Sequence, residues 1–168
     1  VLMGEGDKAI NLLGRAVEHA QTTSCFNVYF GEGRDAWDVP GRVVHESIFN
    51  VHDEIDAPTR FTNVMRGAAT RVSGYRVEEA YPVEYDRTWA DGEPTPSPIL
   101  LTMLRKKSGV GQDEYIDRWH NGHTPLSLKV HPLWYYQRNV IVEPITPDAE
   151  PSDGIVREAC ETQGDLLN

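Results

Sequence analysis

The stretch ILLTMLRK at residues 99–106 decides the fold of the second half of the chain. Apolar side chains stand on both sides of this segment when it is extended, which predicts a strand buried on both faces. Gly109 and Gly111 end the strand. Asp113 and Glu114 then open a helix, because carboxylates stabilise the positive end of a helix dipole. A strand followed by a helix therefore begins the second half of a predicted α+β fold.

The helix is predicted in two parts. Gly122 interrupts the helical pattern, and Thr124 followed by Pro125 predicts a fresh N-terminal cap with proline in the first turn. The second part ends before Pro132, since the proline ring forces the preceding residue, His131, out of the helical conformation. The sequence thus predicts a helix, a break near residue 122 and a second, shorter helix.

Two strands complete the second half. Residues 134–143 are aromatic and β-branched, which predicts a strong strand. Residues 144–153 hold three prolines and are predicted to form a loop, and residues 155–160 predict a last strand. The order strand-helix-strand-strand is part of the βαββαβ order of a ferredoxin-like unit.

The first half is predicted to be another ferredoxin-like part. Its expected elements are a helix at 8–21, strands at 25–30 and 42–51, a helix after Asp56 that Gly74 closes, and a strand at 75–81. Residues 1–3 would be the remnant of an opening strand. Because open sheet edges favour pairing with other chains, we expect a natural protein that is longer at both ends, or a partner that supplies the missing strands.

The segment between the halves is a connection. Residues 82–98 contain several prolines and charges, a composition that cannot hold a strand ladder. We therefore predict an N-terminal ferredoxin-like half at residues 1–88, a linker at 89–98 and a C-terminal half at 99–168.

Charge and apolar content limit the partners of the chain. Lys and Arg number 16 against 26 Asp and Glu, and the formal net charge of -10 repels nucleic acids and anionic membranes. No apolar run reaches the roughly 18 residues that a spanning helix needs. We therefore expect no nucleic acid, no membrane and a cytoplasmic location. Cys25 and Cys160 have no metal or disulfide spacing and are expected to be ordinary buried residues.

Residues 117–125, DRWHNGHTP, are the richest in groups that can do chemistry. His120 and His123 are three positions apart, a spacing that puts both on one side of an α-helix. An imidazole exchanges a proton near neutral pH, so one of them is a candidate base, with Tyr136 or Trp119 to orient its ring. The alternative is that both histidines are packing residues beside aromatic rings.

Two further alternatives stay open. A metal site would join the two histidines to His131 or Asp117, although this spacing differs from the HExxH pattern of zinc enzymes. Glu79 is either an inward-facing base or the surface ion-pair partner of Arg76 or Arg71.

The strand at 134–143 carries polar groups on both faces. Either one face lines a cavity, or this is an edge strand with one face exposed to water. Alternation puts Trp134, Tyr136 and Arg138 on one face of the strand. It puts Tyr135, Gln137 and Asn139 on the other face.

In residues 115–125 (YIDRWHNGHTP), followed by 136–140 (YQRNV), the chain resembles the EthD family. Further matches at 75–79, 92–96 and 154–156 make it similar to the tandem-domain branch of that family. The resemblance implies a dimeric α+β barrel, in which two ferredoxin-like sheets enclose a small-molecule cavity within one chain. Relatives of this fold include cofactor-free monooxygenases, polyketide cyclases, lactone isomerases and heme enzymes.

The resemblance also implies roles for single residues. The family's Trp and His match Trp119 and His123, its strand Tyr and Asn match Tyr136 and Asn139, and Arg138 stands where Gln is expected. We therefore expect a small aromatic or polyketide-like ligand, His123 as general base, no metal or other cofactor, and a homodimer as one assembly. The expected catalytic residues are His123, His120 and Tyr136, and the expected substrate-binding residues are Trp119, Asn139, Arg138 and Trp134. The rival function is a non-catalytic binding or stress-related module.

Overall fold

The computed structural model describes residues 2–4, 25–30, 47–52, 72–86, 88–90, 96, 99–162 and 164–165 of the 168-residue chain. The elements of this part are β1 (Leu2–Gly4), β2 (Cys25–Phe30), β3 (Ser47–His52), β4 (Ser73–Val83), β5 (Leu100–Leu104), α1 (Gln112–Asp117), a π-helical turn (Arg118–His123), α2 (Thr124–Val130), β6 (Leu133–Pro144) and β7 (Gly154–Cys160). The predicted α+β class is confirmed.

The chain divides into two compact units. One contains Val1–Arg76 and Val142–Glu150, and the other contains Val77–Ile141 and Pro151–Asn168. The domain boundaries expected from the sequence, at residues 88 and 99, stay a prediction.

In the first unit, β1 lies between β3 and the start of β4 and is antiparallel to both. Leu2 pairs with Phe49 on one side and with Gly74 on the other. The strand β2 pairs antiparallel with β3 over its whole length. The strand β1 thus has a neighbour on each side, and it lies where the sequence predicts the remnant of an opening strand.

The strand predicted at 25–30 is confirmed, and the strand predicted at 42–51 is confirmed from Ser47 onward. The helix predicted at 8–21, residues 42–46 and most of the helix predicted after Asp56 lie outside the described residues. The prediction that Gly74 closes a helix is wrong, because Gly74 pairs with Leu2 inside β4. The extended pattern that begins at Tyr75 in the sequence starts two residues earlier in the structure.

The second unit is built on a four-stranded antiparallel sheet in the order β4-β6-β7-β5. Arg157 of β7 pairs with Gln137 of β6 on one side and with Leu101 of β5 on the other. All five residues of β5 are half-buried. The prediction that both faces of this strand are buried is therefore wrong, since side chains on both faces stay partly accessible to solvent.

One continuous helix, made of α1, the π-helical turn and α2, replaces the two predicted helices. Thr124 has helical angles, φ -58° and ψ -50°, and its N–H donates to the carbonyl of Trp119, five residues earlier. The predicted break at Gly122 and the cap at Thr124 are wrong, because the chain widens one turn instead of interrupting the helix. His131 is extended at φ -109° and ψ 138°, as Pro132 predicts. No helix within the described ranges is long and apolar enough to cross a membrane.

A bulge in β6 changes one predicted face. Leu133 pairs with Cys160 and Tyr135 pairs with Ala159, so β6 has one residue more than β7 between these two pairs. The additional residue is Trp134. Trp134 and Tyr135 both pack on Tyr85, at ring-centroid distances of 4.6 and 4.8 Å. The prediction that Trp134 shares the face of Tyr136 is therefore wrong.

The helix packs on the sheet face that bears Tyr136. Trp119, Tyr136 and Val156 are buried together there, and partly buried apolar residues surround them, namely Val83, Leu104, Tyr115, Leu133 and Val140. We call this side the helix-covered face, and the side that bears Tyr135 the opposite face. The helix-covered face holds the core of the second unit and positions the candidate site.

Candidate functional site

The π-helical turn brings Trp119 and Thr124 to the helix-covered face together. Residues three and four apart are neighbours in an α-helix, whereas a π turn bonds residues five apart and aligns those. The indole N–H of Trp119 donates to the Tyr136 hydroxyl at 3.3 Å, and Thr124 Oγ1 lies 3.4 Å from the same hydroxyl. The turn therefore joins two helix residues to one strand residue.

Thr124 links the hydroxyl of Tyr136 to the guanidinium of Arg138. Its Oγ1 donates to the carbonyl oxygen of Trp119 at 3.0 Å, which uses its single proton. It therefore accepts from Tyr136 and from Nη1 of Arg138, the latter at 3.0 Å. Sequence reasoning treated Thr124 only as a helix cap and missed this role, because no signal predicted the π turn.

Arg138 has a second N–H group, Nε, in addition to the Nη1 group that donates to Thr124. Among the residues that the structure describes, its buried Nε has no hydrogen-bond partner. Burial lowers the pKa of the guanidinium, and the Tyr136 hydroxyl opposes part of that effect. Since an arginine still keeps its proton, Arg138 is a cation with one unused donor at the site.

His120 packs its ring edge-on against Trp119, with 5.4 Å between the ring centroids. Its Nε2 is buried and, within the described part of the chain, has no hydrogen-bond partner. Burial lowers the pKa of the imidazole from its ordinary value of 6.5, and the charge of Arg138 lowers it further. His120 is therefore a neutral imidazole at neutral pH, with a nitrogen that can accept a proton.

Tyr115 packs on the same indole, tilted, with 5.6 Å between the ring centroids. Its buried hydroxyl also has no partner in the described ranges. Burial, together with the charge of Asp153, raises the pKa of this hydroxyl to about 12. Sequence reasoning did not single out Tyr115, although its position four residues before Trp119 is the helical spacing that places both on one face.

His123, the expected general base, has different neighbours. It is exposed, and its Nδ1 lies 3.2 Å from the hydroxyl of Ser127. The charges of His131 and His123 act on Glu158, whose carboxyl pKa is raised by burial and lowered in part by both histidines. Both histidines lie in the π-helical turn, where a spacing of three does not align side chains as it does in an α-helix, and their position on one side stays a prediction.

Asn139 and Trp134 belong to the opposite face. Asn139 is fully buried, and its Nδ2 donates to the carbonyl of Ile155 at 3.1 Å. Trp134 packs with Tyr85 and Trp89. The structure thus brings four expected site residues together and leaves three elsewhere: Trp119, His120, Tyr136 and Arg138 form the cluster, and His123, Asn139 and Trp134 do not.

A chain of hydrogen bonds crosses the opposite face. The Tyr135 hydroxyl donates to Gln137 Oε1 at 3.0 Å, Gln137 Nε2 donates to the Tyr81 hydroxyl at 3.0 Å, and that hydroxyl donates to Glu79 at 2.9 Å. We call these four residues the opposite-face chain. The guanidinium of Arg157 lies 5.6 Å from the Tyr135 ring centroid, and burial lowers its pKa to about 9. Glu79, a candidate base from the sequence, thus ends a chain that begins at a buried tyrosine.

Metal ligands and relatives give no further guide to function. No group of three or more His, Cys, Asp or Glu side chains that could hold a metal ion occurs among the described residues. Comparison with protein-family models, curated proteins and solved structures found no match to the chain. The function is therefore argued from the cluster on the helix-covered face.

Proposed function

We propose that the protein binds a small, aromatic or polyketide-like molecule at the helix-covered face and catalyses proton transfer on it without a cofactor. One observation carries the proposal. His120 Nε2 and Arg138 Nε are both buried and both lack partners within the described residues, and the charge of Arg138 acts on His120 and lowers its pKa. A neutral nitrogen together with an unused cationic donor is suited to remove a proton and to stabilise the anion that results.

In the proposed reaction, a carbonyl oxygen of the ligand accepts a hydrogen bond from Arg138 Nε, and His120 Nε2 removes a proton from the adjacent carbon. This needs the imidazole tautomer that carries its proton on Nδ1. Negative charge develops on the carbonyl oxygen, where a fixed donor in a buried site stabilises it better than water does. A positioned base of this kind accelerates proton transfer by about 10²- to 10⁴-fold.

Tyr136 is a positioning residue in this proposal. Its hydroxyl accepts from Trp119 and donates to Thr124, and Thr124 in turn accepts from Arg138. The hydroxyl therefore holds the helix and the guanidinium in register with the strand. The proposal moves the base from His123 to His120, because His123 is exposed and its Nδ1 is engaged with Ser127.

The proposed family is EthD-like, with tandem ferredoxin-like halves in a dimeric α+β barrel-type architecture. The support is the DRWHNGHTP motif, whose Trp119 forms the centre of the cluster, and the α+β architecture of the described residues. The homodimer, the cytoplasmic location and the avoidance of nucleic acid expected from the sequence remain proposals of the same kind.

The test is exchange of α-protons for deuterium in a series of aryl ketones, followed by NMR in D₂O. We expect the intact protein to accelerate exchange and His120→Gln to lose at least about 100-fold of that rate, as expected for loss of a general base. The matched control is His123→Gln, which should exchange at the rate of the intact protein. Native mass spectrometry would show whether each variant still binds the ketone.

Two other results would change the proposal. Binding of ketones by the intact protein without any exchange would favour the alternative, a non-catalytic binding or stress-related module. Equal exchange by His120→Gln and the intact protein, with loss in His123→Gln, would return the role of base to His123.

A further inference from the structure

The first three strands of the two units are paired in the same way. In the first unit, β1 and β2 are both antiparallel to β3, which lies between them. In the second unit, β5 and β6 are both antiparallel to β7, which lies between them. The strand β5 therefore has the position in its unit that β1 has in the first.

The strands β1 and β5 differ in what lies on their other side. There β1 has an antiparallel neighbour, β4, which pairs with it through Gly74 and Ser73. In contrast, β5 comes last in the order β2-β3-β1-β4-β6-β7-β5, and no strand among the described residues lies beyond it. The sheet thus has an open edge at β5, in the place where β1 has its second neighbour.

The backbone of β5 presents hydrogen-bonding groups to this open edge. The Leu104 carbonyl accepts from the N–H of Asp153 at 2.8 Å, and the N–H of Lys106 donates to the Asp153 carboxylate at 2.9 Å. Asp153 directly precedes β7, so the backbone groups of these even-numbered residues point toward β7. In an antiparallel strand, the groups of alternate residues point to opposite sides. Those of Leu101 and Met103 therefore point to the open edge.

The side chains of β5 permit another strand to pair there. Edge strands that resist association commonly carry a charge, a proline or a bulge. Residues 100–104, LLTML, contain no charge and no proline, and their register with β7 is regular. All five residues are half-buried, so apolar side chains on both faces have surface left to cover.

We propose that β5 is an interface with a second copy of this chain, in which the two β5 strands pair antiparallel about a two-fold axis at Thr102. Leu100 then lies opposite the partner's Leu104, and Leu101 lies opposite the partner's Met103. Apolar pairs and threonine pairs both stabilise antiparallel strands. The proposal assigns a surface to the homodimer expected from the sequence, and it does not depend on the proposed reaction.

The charges near β5 favour a second copy as the occupant. The chain has a net charge of -10, whereas the segment that follows β5, residues 105–107, is RKK. A cationic segment attracts an anionic copy of the chain. In the antiparallel arrangement Arg105 lies opposite the partner's Ile99, so the two cationic segments stand at opposite ends of the paired strands and no like charges face each other.

The first test uses the intact chain. One pair of five-residue strands is a small interface, so the dimer should be weak and should form as concentration rises. Sedimentation equilibrium from about 10 µM to about 1 mM measures this. Over the same range, NMR hydrogen exchange at the N–H groups of Leu101 and Met103 should slow by at least about 10-fold, because these groups gain partners. The N–H of Thr102, which points to β7, should exchange at an unchanged rate and is the internal control.

The second test is a disulfide across the two-fold axis. Since the backbone groups of Thr102 point to β7, Thr102 and its equivalent in the second copy would form a pair without mutual hydrogen bonds, with Cα atoms about 4.5 Å apart. A disulfide spans that distance. Thr102→Cys should therefore form a covalent dimer on oxidation. The matched control is Arg105→Cys, whose two copies would be about 20 Å apart and should stay unlinked. The native cysteines, Cys25 and Cys160, are the same in both variants.

Three results would overturn the proposal. The first is an intact chain that remains monomeric at about 1 mM. The second is a dimer in which Leu101 and Met103 exchange at unchanged rates, since that dimer would use another surface. The third is equal cross-linking of Thr102→Cys and Arg105→Cys. If Thr102→Cys fails to fold, the hydrogen exchange of the intact chain still decides. None of these results bears on the proposed proton transfer, which the ketone exchange assay tests separately.

Discussion

The opposite-face chain and the cluster on the helix-covered face differ in their hydrogen bonding. In the opposite-face chain, each donor meets an acceptor, at distances of 2.9 to 3.0 Å. On the helix-covered face, three buried atoms lack a partner among the described residues, namely Tyr115 Oη, His120 Nε2 and Arg138 Nε. The same sheet thus supports one connected network and one open cluster.

This difference is the basis for interpreting the opposite-face chain as structural and the open cluster as the candidate site. Buried polar groups in folded proteins are nearly always bonded, and a complete network rigidifies the fold. An open cluster costs stability, and the proposed ligand would offset that cost by supplying the missing bonds. Asn139 is intermediate, because its Nδ2 is bonded to Ile155 while its buried Oδ1 has no partner within the described ranges.

The largest expected effect is at Gly154, where the sheet supports the centre of the open cluster. An added Cβ would lie 2.6 Å from the Trp119 ring and 2.7 Å from the Tyr115 hydroxyl. Gly154→Ala should therefore displace the indole and destabilise the protein by about 3 kcal/mol, as overpacking does. The control is Gly122→Ala, which meets nothing within 4 Å and should be neutral or stabilising by up to about 1 kcal/mol. Urea unfolding measures both, and equal midpoints would show that the indole does not pack on this glycine.

The next effect is expected at Thr124, which connects the helix to Tyr136 and Arg138. Thr124→Val keeps the shape of the side chain and removes the hydroxyl, which leaves the Tyr136 hydroxyl and Arg138 Nη1 without their acceptor, while the Trp119 carbonyl keeps only the backbone N–H of residue 124. We expect a loss of about 2 kcal/mol in the free energy of unfolding. Thr124→Ser keeps the hydroxyl and should lose clearly less. If the two variants unfold at the same urea concentration, the hydrogen bonds of Thr124 contribute nothing.

A pair of tyrosines compares the two networks directly. Tyr135→Phe leaves Gln137 Oε1 without its donor and should cost about 1 kcal/mol, whereas Tyr115→Phe removes a hydroxyl without a described partner and should cost nothing or stabilise slightly. Thermal unfolding of both variants at pH 7 is the measurement. A larger loss for Tyr115→Phe than for Tyr135→Phe would mean that the open cluster is in fact a structural network.

The sequence predicts the elements of the second unit well, because their signals are local. Alternation and β-branched content place β6 and β7, and Pro132 ends the helix where steric contact requires it. The π turn could not be predicted in this way. The contacts that Trp119 of this turn makes, with Gly154 and Tyr136, are distant in sequence and leave no local pattern.

Only part of the candidate site could be predicted from the sequence, because the rest depends on contacts between residues that are distant in the chain. Residue type singled out His120 and Arg138, but the choice between His120 and His123 depends on the width of one helical turn. Trp134 was assigned to the wrong face because a β-bulge shifts the alternation by one residue, and bulges leave no clear mark in a sequence. Tyr115 is identified by the missing partner of its hydroxyl, a property that only a structure reveals.

The smallest expected effect is a change of the free energy of unfolding with pH, caused by His120 of the open cluster. Burial and Arg138 lower the pKa of His120 below 6.5 in the folded protein, so below that pH the unfolded chain binds a proton more readily than the folded one. Stability should therefore fall as pH is lowered through 6.5 toward the folded pKa. His120→Gln removes this contribution and should lose less stability than the intact protein between pH 7.5 and pH 5, in urea unfolding at each pH. Identical slopes for the two proteins would show that Nε2 finds a partner in solution, and the distinction between the open cluster and the opposite-face chain would then lose its basis at His120.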